Sequence, residues 1–282
     1  MIEIKKKKVL ICCNDSGGAN LIYYWYLKKK NAYNFFFYNS GPAKKIFSKK
    51  NITFTEVLNK NFDFLITGTS VKSNIEKKAR SIFKNRNIKS IVYIDHYTNY
   101  NQRFFYKSKY LYPNEIWCGD IYSLKKCKKI FKKKCLIKLK KNYYLDYSKK
   151  EIKKFSLKKP EIRSCLFVSE PFYKKINITL NQIYKRLCFF LKKKKIELLY
   201  IKLHPSEKIS NMRYVMKKIQ SKQINVIIIK NNLYKWIGYS NYVVGLRSYA
   251  MVVSLNSGKK TYSLLLKKHK SFLLPYKGIL KF

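Results

Sequence analysis

The chain has 282 residues and a formal net charge of +49, with 63 Lys and Arg against 14 Asp and Glu. Hydrophobic residues make up 46% of it and aromatic residues 16%, which excludes a disordered basic tail because such a chain can bury a sizeable core. Seven cysteines without framework spacing exclude a disulfide-stapled scaffold.

The sequence predicts a cytoplasmic protein with free thiols. No uncharged apolar run approaches the ~20 residues of a membrane-spanning helix. The start of the chain also lacks the longer apolar stretch and the cleavage site of a secretory signal. No CxxC motif or Cys/His cluster offers a metal site, so we expect no metal.

Lysine supplies most of the positive charge, since only seven of the basic residues are arginine. Lys, Asn, Ile, Tyr and Phe are all heavily used, as A/T-rich codons would produce, whereas nucleic-acid sites usually need arginine for bidentate and stacking contacts. The lysines are spread from residue 5 to residue 281 without an RRM, KH or helix-turn-helix signature. We therefore attribute most of the charge to composition and keep a basic nucleic-acid-binding protein as an alternative only.

The first half of the chain alternates short apolar strands with helices, which predicts βαβ units and a parallel sheet. Predicted strands cover residues 8–13, 34–38, 52–57, 62–67, 89–95 and 115–118. Predicted helices cover residues 21–30, a short segment through residue 48, 74–85 and 123–134.

A second series of the same kind follows a charged stretch. Residues 138–159 have few apolar side chains and end at Pro160, so we place a domain boundary there. Beyond it, predicted strands cover residues 164–169, 197–203, 225–229, 242–245 and 260–264, and predicted helices cover residues 180–193, 210–222, 232–238 and 249–257. The fold class is therefore α/β, with Rossmann-like domains at residues 1–159 and 160–282.

The turn after the first predicted strand, residues 14–20, is one candidate ligand site, because parallel sheets bind ligands beyond the carboxyl ends of their strands. Gly17 and Gly18 would let the backbone approach a ligand, and amides at the following helix start favour anions or hydroxyls. A glycine turn capped by Asp15 or Ser16 explains the segment equally well. The candidate substrate-binding residues here are Ser16, Gly17, Gly18 and Asn20.

A second candidate site follows the strand at 89–95. Asp95 and His96 end a buried strand, where a charged side chain is costly unless it faces a cleft. A carboxylate beside an imidazole can act as a general base, and Asn99 and Arg103 follow as candidate substrate-binding residues. The structural alternative is a satisfied pair that covers the strand end.

A third candidate site combines two strand ends of the second predicted domain. The strand at 197–203 carries His204 to the carboxyl edge, followed by Pro205 and Glu207. The strand that ends at Gly245 leads into Arg247 and Ser248, which we place at or near a helix N-cap. A hydroxyl, free amides and the helix dipole together favour an anion such as a phosphate. A plain structural N-cap is the alternative for Ser248.

With two α/β domains and these candidate ligand residues at the strand ends of the second, the sequence resembles the GT-B glycosyltransferases. In those enzymes, two Rossmann-like domains face a cleft that holds a nucleotide-sugar. Lys-Leu-His-Pro at 202–205 looks like the His-Pro motif of bacterial sialyltransferases and related CMP-sugar transferases, and Gly-Leu-Arg-Ser at 245–248 is similar to their later serine motif. The resemblance implies that residues 160–282 bind the donor, with His204 and Ser248 on the CMP phosphate, and that residues 1–159 bind the acceptor.

The activity implied by this resemblance is inverting, metal-independent transfer of a CMP-linked acidic sugar, such as a sialic acid, to a surface glycan in bacterial polysaccharide biosynthesis. Asp95, or Asp15 as second choice, would deprotonate the acceptor hydroxyl, and His204 would stabilise the leaving CMP. Lysines and arginines of the cleft would neutralise the donor phosphate. No cofactor is implied beyond the nucleotide-sugar substrate.

Rival enzymes of the same architecture stay open, namely a CDP-glycerol-type glycerophosphotransferase and a UDP-sugar epimerase. The helix at 249–257 lacks the acid with which UDP-sugar enzymes of this class often grip ribose, which favours CMP. The expected partners are a nucleotide-sugar donor, a glycan or lipid-linked glycan acceptor and no specific nucleic acid. The tail at 267–282 either crosses back to the first domain or offers a basic, aromatic surface to an anionic membrane, at the inner face of the cytoplasmic membrane.

Overall fold

The computed structural model describes residues 6–71, 73–170, 178–204, 207, 209–210, 216, 219–220, 223–230, 232–266, 269 and 273–282. The chain divides into two compact units, Met1–Tyr144 and Leu145–Phe282. This division falls at the start of a helix, Tyr143–Ser156, whereas the sequence predicts a boundary after it, at Pro160. Among the described residues, no helix is both long and apolar enough to cross a membrane.

The first unit is built on a six-stranded sheet in which every neighbouring pair is parallel. Its order is β2-β1-β3-β4-β7-β8. The strands are β1 (Lys8–Cys12), β2 (Asn34–Phe37), β3 (Phe64–Thr67), β4 (Lys89–Ile94), β7 (Glu115–Cys118) and β8 (Leu136–Leu139). The helices are α1 (Ser16–Lys29), α2 (Gly41–Phe47), α3 (Phe54–Asn59), α4 (Ile75–Asn85), α5 (Ile121–Phe131) and the start of α6 (Tyr143–Ser156).

An excursion between β4 and β7 departs from the βα alternation. A short 3₁₀ helix, Asn101–Phe104, leads into an antiparallel hairpin of β5 (Phe105–Tyr106) and β6 (Lys109–Tyr110). The sequence analysis predicts no element there, because each strand has only two residues.

The second unit repeats the architecture with a six-stranded sheet of order β11-β10-β9-β12-β13-β14, again parallel throughout. The strands are β9 (Ser164–Val168), β10 (Leu198–Lys202), β11 (Asn225–Ile229), β12 (Tyr242–Gly245), β13 (Lys260–Ser263) and β14 (Ile279–Lys281). The described helices, apart from α6, are α7 (Leu180–Lys193), α8 (Leu233–Tyr239) and α9 (Tyr249–Asn256).

The central strands are apolar on both faces because helices cover a parallel sheet on both sides. All five residues of β9 are buried, as are the last four of β1. In the second unit, Leu187, Phe190 and Leu191 of α7 pack against the sheet that contains β9. These two units confirm the predicted α/β class with two Rossmann-like domains.

Three segments differ from their predictions. Residues 52–57, predicted as a strand, begin α3 instead, because Thr53 and Glu56 form a reciprocal capping box. Residues 138–159, predicted as a charged boundary segment, contribute to β8 and α6. The described end of the tail forms β14 beside β13 in the second sheet, a strand that the sequence analysis does not predict. The helix predicted at 210–222 falls mostly outside the described residues.

Each sheet has one topological switch point, where successive strands leave in opposite directions. In the first sheet, β2 lies on one side of β1 and β3 on the other. In the second sheet, β10 lies on one side of β9 and β12 on the other. Open α/β sheets bind ligands in the crevice outside the carboxyl strand ends at such points. We therefore expect a ligand site at the loops after β1 and β3, or at those after β9 and β12.

Candidate functional site

The carboxyl edge of the first sheet gathers residues from two predicted sites, the turn at 14–20 and the segment after β4. Asp95 is buried, and its Oδ1 accepts the Thr69 hydroxyl at 3.0 Å. Its Oδ2 lies 3.4 Å from His96 Nε2. Gly17 faces the same oxygen so closely that a Cβ there would stand 2.0 Å from Oδ2. The first turn of α1 therefore packs directly on the Asp95 carboxylate.

Two buried arginines support this edge through backbone carbonyls. Arg103 donates to the carbonyl of Thr69, to its hydroxyl at 3.3 Å and to the carbonyl of Thr98 at 3.3 Å. Arg80 donates to the Thr67 hydroxyl at 3.0 Å and to the Arg103 carbonyl at 3.1 Å. The guanidinium of arginine carries five donors in a rigid plane, so it can bond several carbonyls at once. The ammonium of lysine has three donors on a flexible chain and holds its partners less firmly. Thr69, the residue that orients Asp95, is thereby held in place.

Glu76 is a functional candidate that the sequence analysis missed. It lies in the first turn of α4 with a side chain only 1% exposed. Its Oε1 accepts the amide of Asn14 at 3.1 Å and its Oε2 accepts the amide of Ser70 at 2.5 Å. Glu76 therefore ties together the loops after β1 and β3, which are the two loops of the switch point.

Burial raises the pKa of Glu76 to about 7, although Arg80 and the two backbone amides favour the charged form. Asp15 adds to the upward shift through charge repulsion. The only local signal for Glu76 is an arginine four residues later on the same helix, in a chain where seven arginines stand among 56 lysines.

The other predicted residues of this edge occupy more peripheral places. Asp15 is half-buried at the N-cap of α1, where its side chain caps no helix amide and its Oδ1 accepts Asn14 Nδ2 at 2.6 Å. Asn20 bonds back to the carbonyl of Ser16 within α1 at 2.8 Å. Gly18 serves packing, because a Cβ there would come within 3.0 Å of Gly68 Cα. Ser16 and Asn99 are exposed.

The carboxyl edge of the second sheet brings His204 and Ser248 to the ends of β10 and β12, which flank β9. Glu207 connects the loop after β9 to the loop after β10, because its carboxylate accepts the Ser169 hydroxyl at 2.9 Å and the His204 amide at 2.9 Å. His204 is exposed. Pro205, the other half of the predicted motif, lies outside the described residues.

Ser248 is the N-cap of α9, where its hydroxyl accepts the amide of Ala250 at 3.3 Å. The backbone amides that we expected to bind a donor phosphate instead bind a carboxylate of the chain. Glu170, which follows β9, accepts the amide of Arg247 at 2.7 Å, and the amides of Ser248 and Leu246 also favour its charged form, while burial raises its pKa. A carboxylate of the chain itself therefore sits at the second switch point, and the sequence analysis missed it.

Gly245 has a packing role in this structure. A Cβ at this position would stand 2.7 Å from Val168 Cγ2 and 3.0 Å from Met251 Sδ. The glycine thus lets β9, β12 and α9 approach one another. Among the described residues, no group of three or more His, Cys, Asp and Glu side chains could hold a metal ion.

Replacing Glu170 by Ala should lower the free energy of unfolding by about 2 kcal/mol, because the amides of the loop after β12 lose their acceptor. Chemical denaturation at neutral pH measures the change. Glu161→Ala is the matched control, since Glu161 is exposed and precedes the same strand. Equal stability of the two variants would contradict the role of Glu170.

The sequence matches no protein-family model and no curated protein, but solved structures resemble the fold over almost its whole length. MnaA of S. aureus with UDP has a TM-score of 0.65 at 11% identity, covering 92% of this chain and 79% of that one. UDP-GlcNAc 2-epimerase of Neisseria meningitidis bound to UDP-GlcNAc has a TM-score of 0.62 at 12% identity, with 94% and 84% covered. HepE of Anabaena with UDP-glucose has a TM-score of 0.58 at 9% identity, with 98% and 85% covered.

At these identities the likeness defines architecture rather than activity, because one fold hosts many functions. The chain therefore has the GT-B-like fold that it shares with UDP-GlcNAc 2-epimerases and HepE.

Proposed function

We propose that the chain is a nucleotide-sugar enzyme that takes a UDP-linked sugar and changes it by acid–base chemistry at the carboxyl edge of the first sheet. The observation that carries this proposal is the likeness, over more than nine tenths of the chain, to structures that hold UDP, UDP-GlcNAc or UDP-glucose. Both switch points carry polar and charged residues from separate strands, as a ligand site of this fold requires.

Asp95 is the proposed base. Its carboxylate is buried and oriented by Thr69, whose position Arg103 supports, and it has His96 beside it. A carboxylate held in one orientation and shielded from water is suited to proton abstraction. Asp15 is the second acid of the same edge. The side chains of His204, Arg247 and Ser248, rather than the loop amides that Glu170 binds, are the proposed contacts of the nucleotide phosphate in the second unit.

Epimerisation of a UDP-sugar is the reaction that we favour, since UDP-sugar 2-epimerases recur among the structures that share the fold. In such a reaction one group removes the C2 proton as the bond from C1 to the UDP oxygen breaks, and another returns a proton to the opposite face as that bond re-forms. Asp95 and Asp15 together can supply the two groups. This replaces our first preference for a CMP-linked donor, because the nucleotides named in these structures are UDP and UDP-sugars.

Inverting glycosyl transfer is the second candidate. A single oriented base suffices for that reaction, and the Asp95 carboxylate is buried and oriented by the Thr69 hydroxyl. HepE, which has also been solved with UDP and glucose, shares the fold with a TM-score of 0.58.

A ligand panel followed by one isotope experiment tests these proposals. Thermal unfolding with UDP, CMP, CDP and RNA should give its largest stabilisation with UDP, because only a ligand that binds the native state raises the midpoint. Stabilisation by CMP alone would restore the CMP-sugar transferase, and stabilisation by RNA alone would reject an enzyme of this class. Incubation of UDP-GlcNAc in heavy water then separates the reactions, since epimerisation at C2 introduces deuterium there and glycosyl transfer does not.

Replacing His204 by Ala should weaken UDP binding about tenfold, as expected for one lost hydrogen bond to a charged phosphate oxygen. Isothermal titration measures the affinity. Lys192→Ala is the matched control, because it removes one exposed positive charge from α7. Equal affinities of the two variants would contradict the assignment of His204.

A further inference from the structure

The β5–β6 hairpin of the first unit exposes aromatic side chains that the proposed reaction does not use. Phe105 and Tyr110 are cross-strand partners on one face of the hairpin, and they are 45% and 48% exposed. Tyr112, which is half-buried against Phe104 and Phe131, continues the row beyond β6 with its ring 5.7 Å from that of Tyr110. We call Phe105, Tyr110 and Tyr112 the aromatic row.

Lysines surround the aromatic row. Lys107 and Ser108 form the hairpin tip, where both adopt left-handed backbone with φ of +46° and +60°, and Lys109 begins the next strand. Such a two-residue turn suits the twist of the hairpin but normally selects Asn and Gly, so a lysine is held at the tip in an unfavourable conformation. At the base, Lys134 Nζ lies 4.7 Å from the centre of the Tyr112 ring and donates to its hydroxyl at 3.0 Å.

The neighbouring residue Phe104 shows what a structural aromatic does in the same segment. It is fully buried against Phe131 of α5, with the ring centres 5.2 Å apart. Phe105, the next residue, is turned outward and leaves almost half of its surface in water, where it contributes little to folding.

We propose that the aromatic row and its lysines dock the first unit on an anionic lipid bilayer. Aromatic rings with lysines beside them match the interface of a membrane, where rings enter the headgroup layer and ammonium groups meet lipid phosphates. The attraction of lysine to an anionic surface and the burial of aromatic area are two separate signals, and stable peripheral binding needs both. This inference does not rest on the proposed function.

The ring geometry favours a bilayer over a glycan or a nucleic acid. Sugars and bases would stack on open ring faces, but the Tyr110 ring already contacts two others. It stacks on Tyr112 at 6° with ring centres 5.7 Å apart, and it meets Phe105 at 61° with ring centres 5.2 Å apart. The rings of the row thus partly cover one another, which leaves less open face for a stacked base or sugar than separate rings would.

The place of the hairpin in the chain gives docking a consequence for the site. The segment from Asp95 to Tyr110 passes from the proposed base, through the short 3₁₀ helix that holds Arg103, to the exposed rings. A docked hairpin would therefore hold this loop next to the membrane surface.

Vesicle co-sedimentation tests the proposal with the double variant Phe105→Ser/Tyr110→Ser. The vesicles are an equimolar mixture of phosphatidylcholine and phosphatidylglycerol, with pure phosphatidylcholine as the uncharged reference. A chain of this charge is attracted to anionic vesicles wherever its lysines lie, so the comparison is made between chains of equal charge, at about 0.15 M salt, where the Debye length is about 8 Å. We expect the native chain to bind and the double variant to bind at least about tenfold more weakly.

Leu157→Ser/Leu280→Ser is the matched control, because both leucines are exposed and both replacements leave the charge unchanged. Equal loss in the control, or full retention in the hairpin variant, would overturn the proposal. Lys107→Gln/Lys109→Gln is a second variant that should also weaken binding, by an amount that shrinks as the salt concentration rises. If the native chain binds a soluble acidic polysaccharide or RNA through the same residues and does not bind the vesicles, the bilayer is the wrong partner.

Discussion

Asp95→Asn should reduce turnover of the UDP-sugar by about a thousandfold, whichever of the two proposed reactions the chain performs. The amide keeps the size of the side chain and its contact with Thr69 but cannot take a proton, and a positioned general base contributes about 10²–10⁴-fold to rate. UDP affinity should change by less than about twofold, because the proposed nucleotide contacts belong to the second unit. Initial-rate kinetics and titration with UDP measure the two quantities.

Gly17→Ala should produce the same loss without touching a titratable group. The added Cβ would stand 2.0 Å from Asp95 Oδ2, so the carboxylate must leave its present position. Ser16→Ala is the control, since Ser16 is exposed in the same turn of α1. If Gly17→Ala were as active as Ser16→Ala, the base would be a different residue.

The free energy of unfolding should fall by about 3 kcal/mol as the pH rises from about 4.5 to 7.5, because of Glu76. Its pKa is about 7 in the folded chain, above the value near 4.3 of an unfolded chain. A raised carboxyl pKa means that its stabilising contribution is complete below the unfolded value and is lost as the pH passes the folded one. Denaturant unfolding at several pH values measures this slope.

In Glu76→Gln the part of the slope due to this group should disappear, since the amide does not titrate. Glu56→Gln should keep the full slope, because the pKa of Glu56 is lowered to about 2 by Lys60 and the capping box, below the range scanned. A wild-type slope in Glu76→Gln would mean that other groups cause the pH dependence. The measurement needs no substrate and is independent of the proposed reaction.

Local sequence pattern was a good guide to the sheets because buried parallel strands are short, continuous apolar runs. The predicted strand at 225–229 and the predicted helix at 180–193 coincide with β11 and α7. The strand predicted at 52–57 was wrong because this apolar run fits either a strand or a helix. The capping box at its start stabilises the helix. Edge strand β8 was missed because it has only four residues, and helix α6 was missed because its four lysines interrupt the apolar pattern.

The site was harder to predict because its decisive contacts join distant parts of the chain. Asp95 and His96 could be proposed, since polar residues that end a buried strand are unusual. Glu76 and Glu170 could not, because they meet amides 62 and 77 residues away, of Asn14 and Arg247. Apart from Arg80, four residues after Glu76, the sequence contains no local mark of these carboxylates, because their partners are backbone groups of other loops.

These backbone-bound carboxylates bear on how the chain can be altered. Glu76, Glu170 and Glu207 each hold main-chain amides at a strand end, whereas lysines such as those on α5 project into solvent. The acids are therefore the residues that a redesign must keep, and exposed lysines can be exchanged for glutamine at small cost. A version with far lower charge should fold the same way and would let ligand and membrane binding be measured without the background attraction of the native surface.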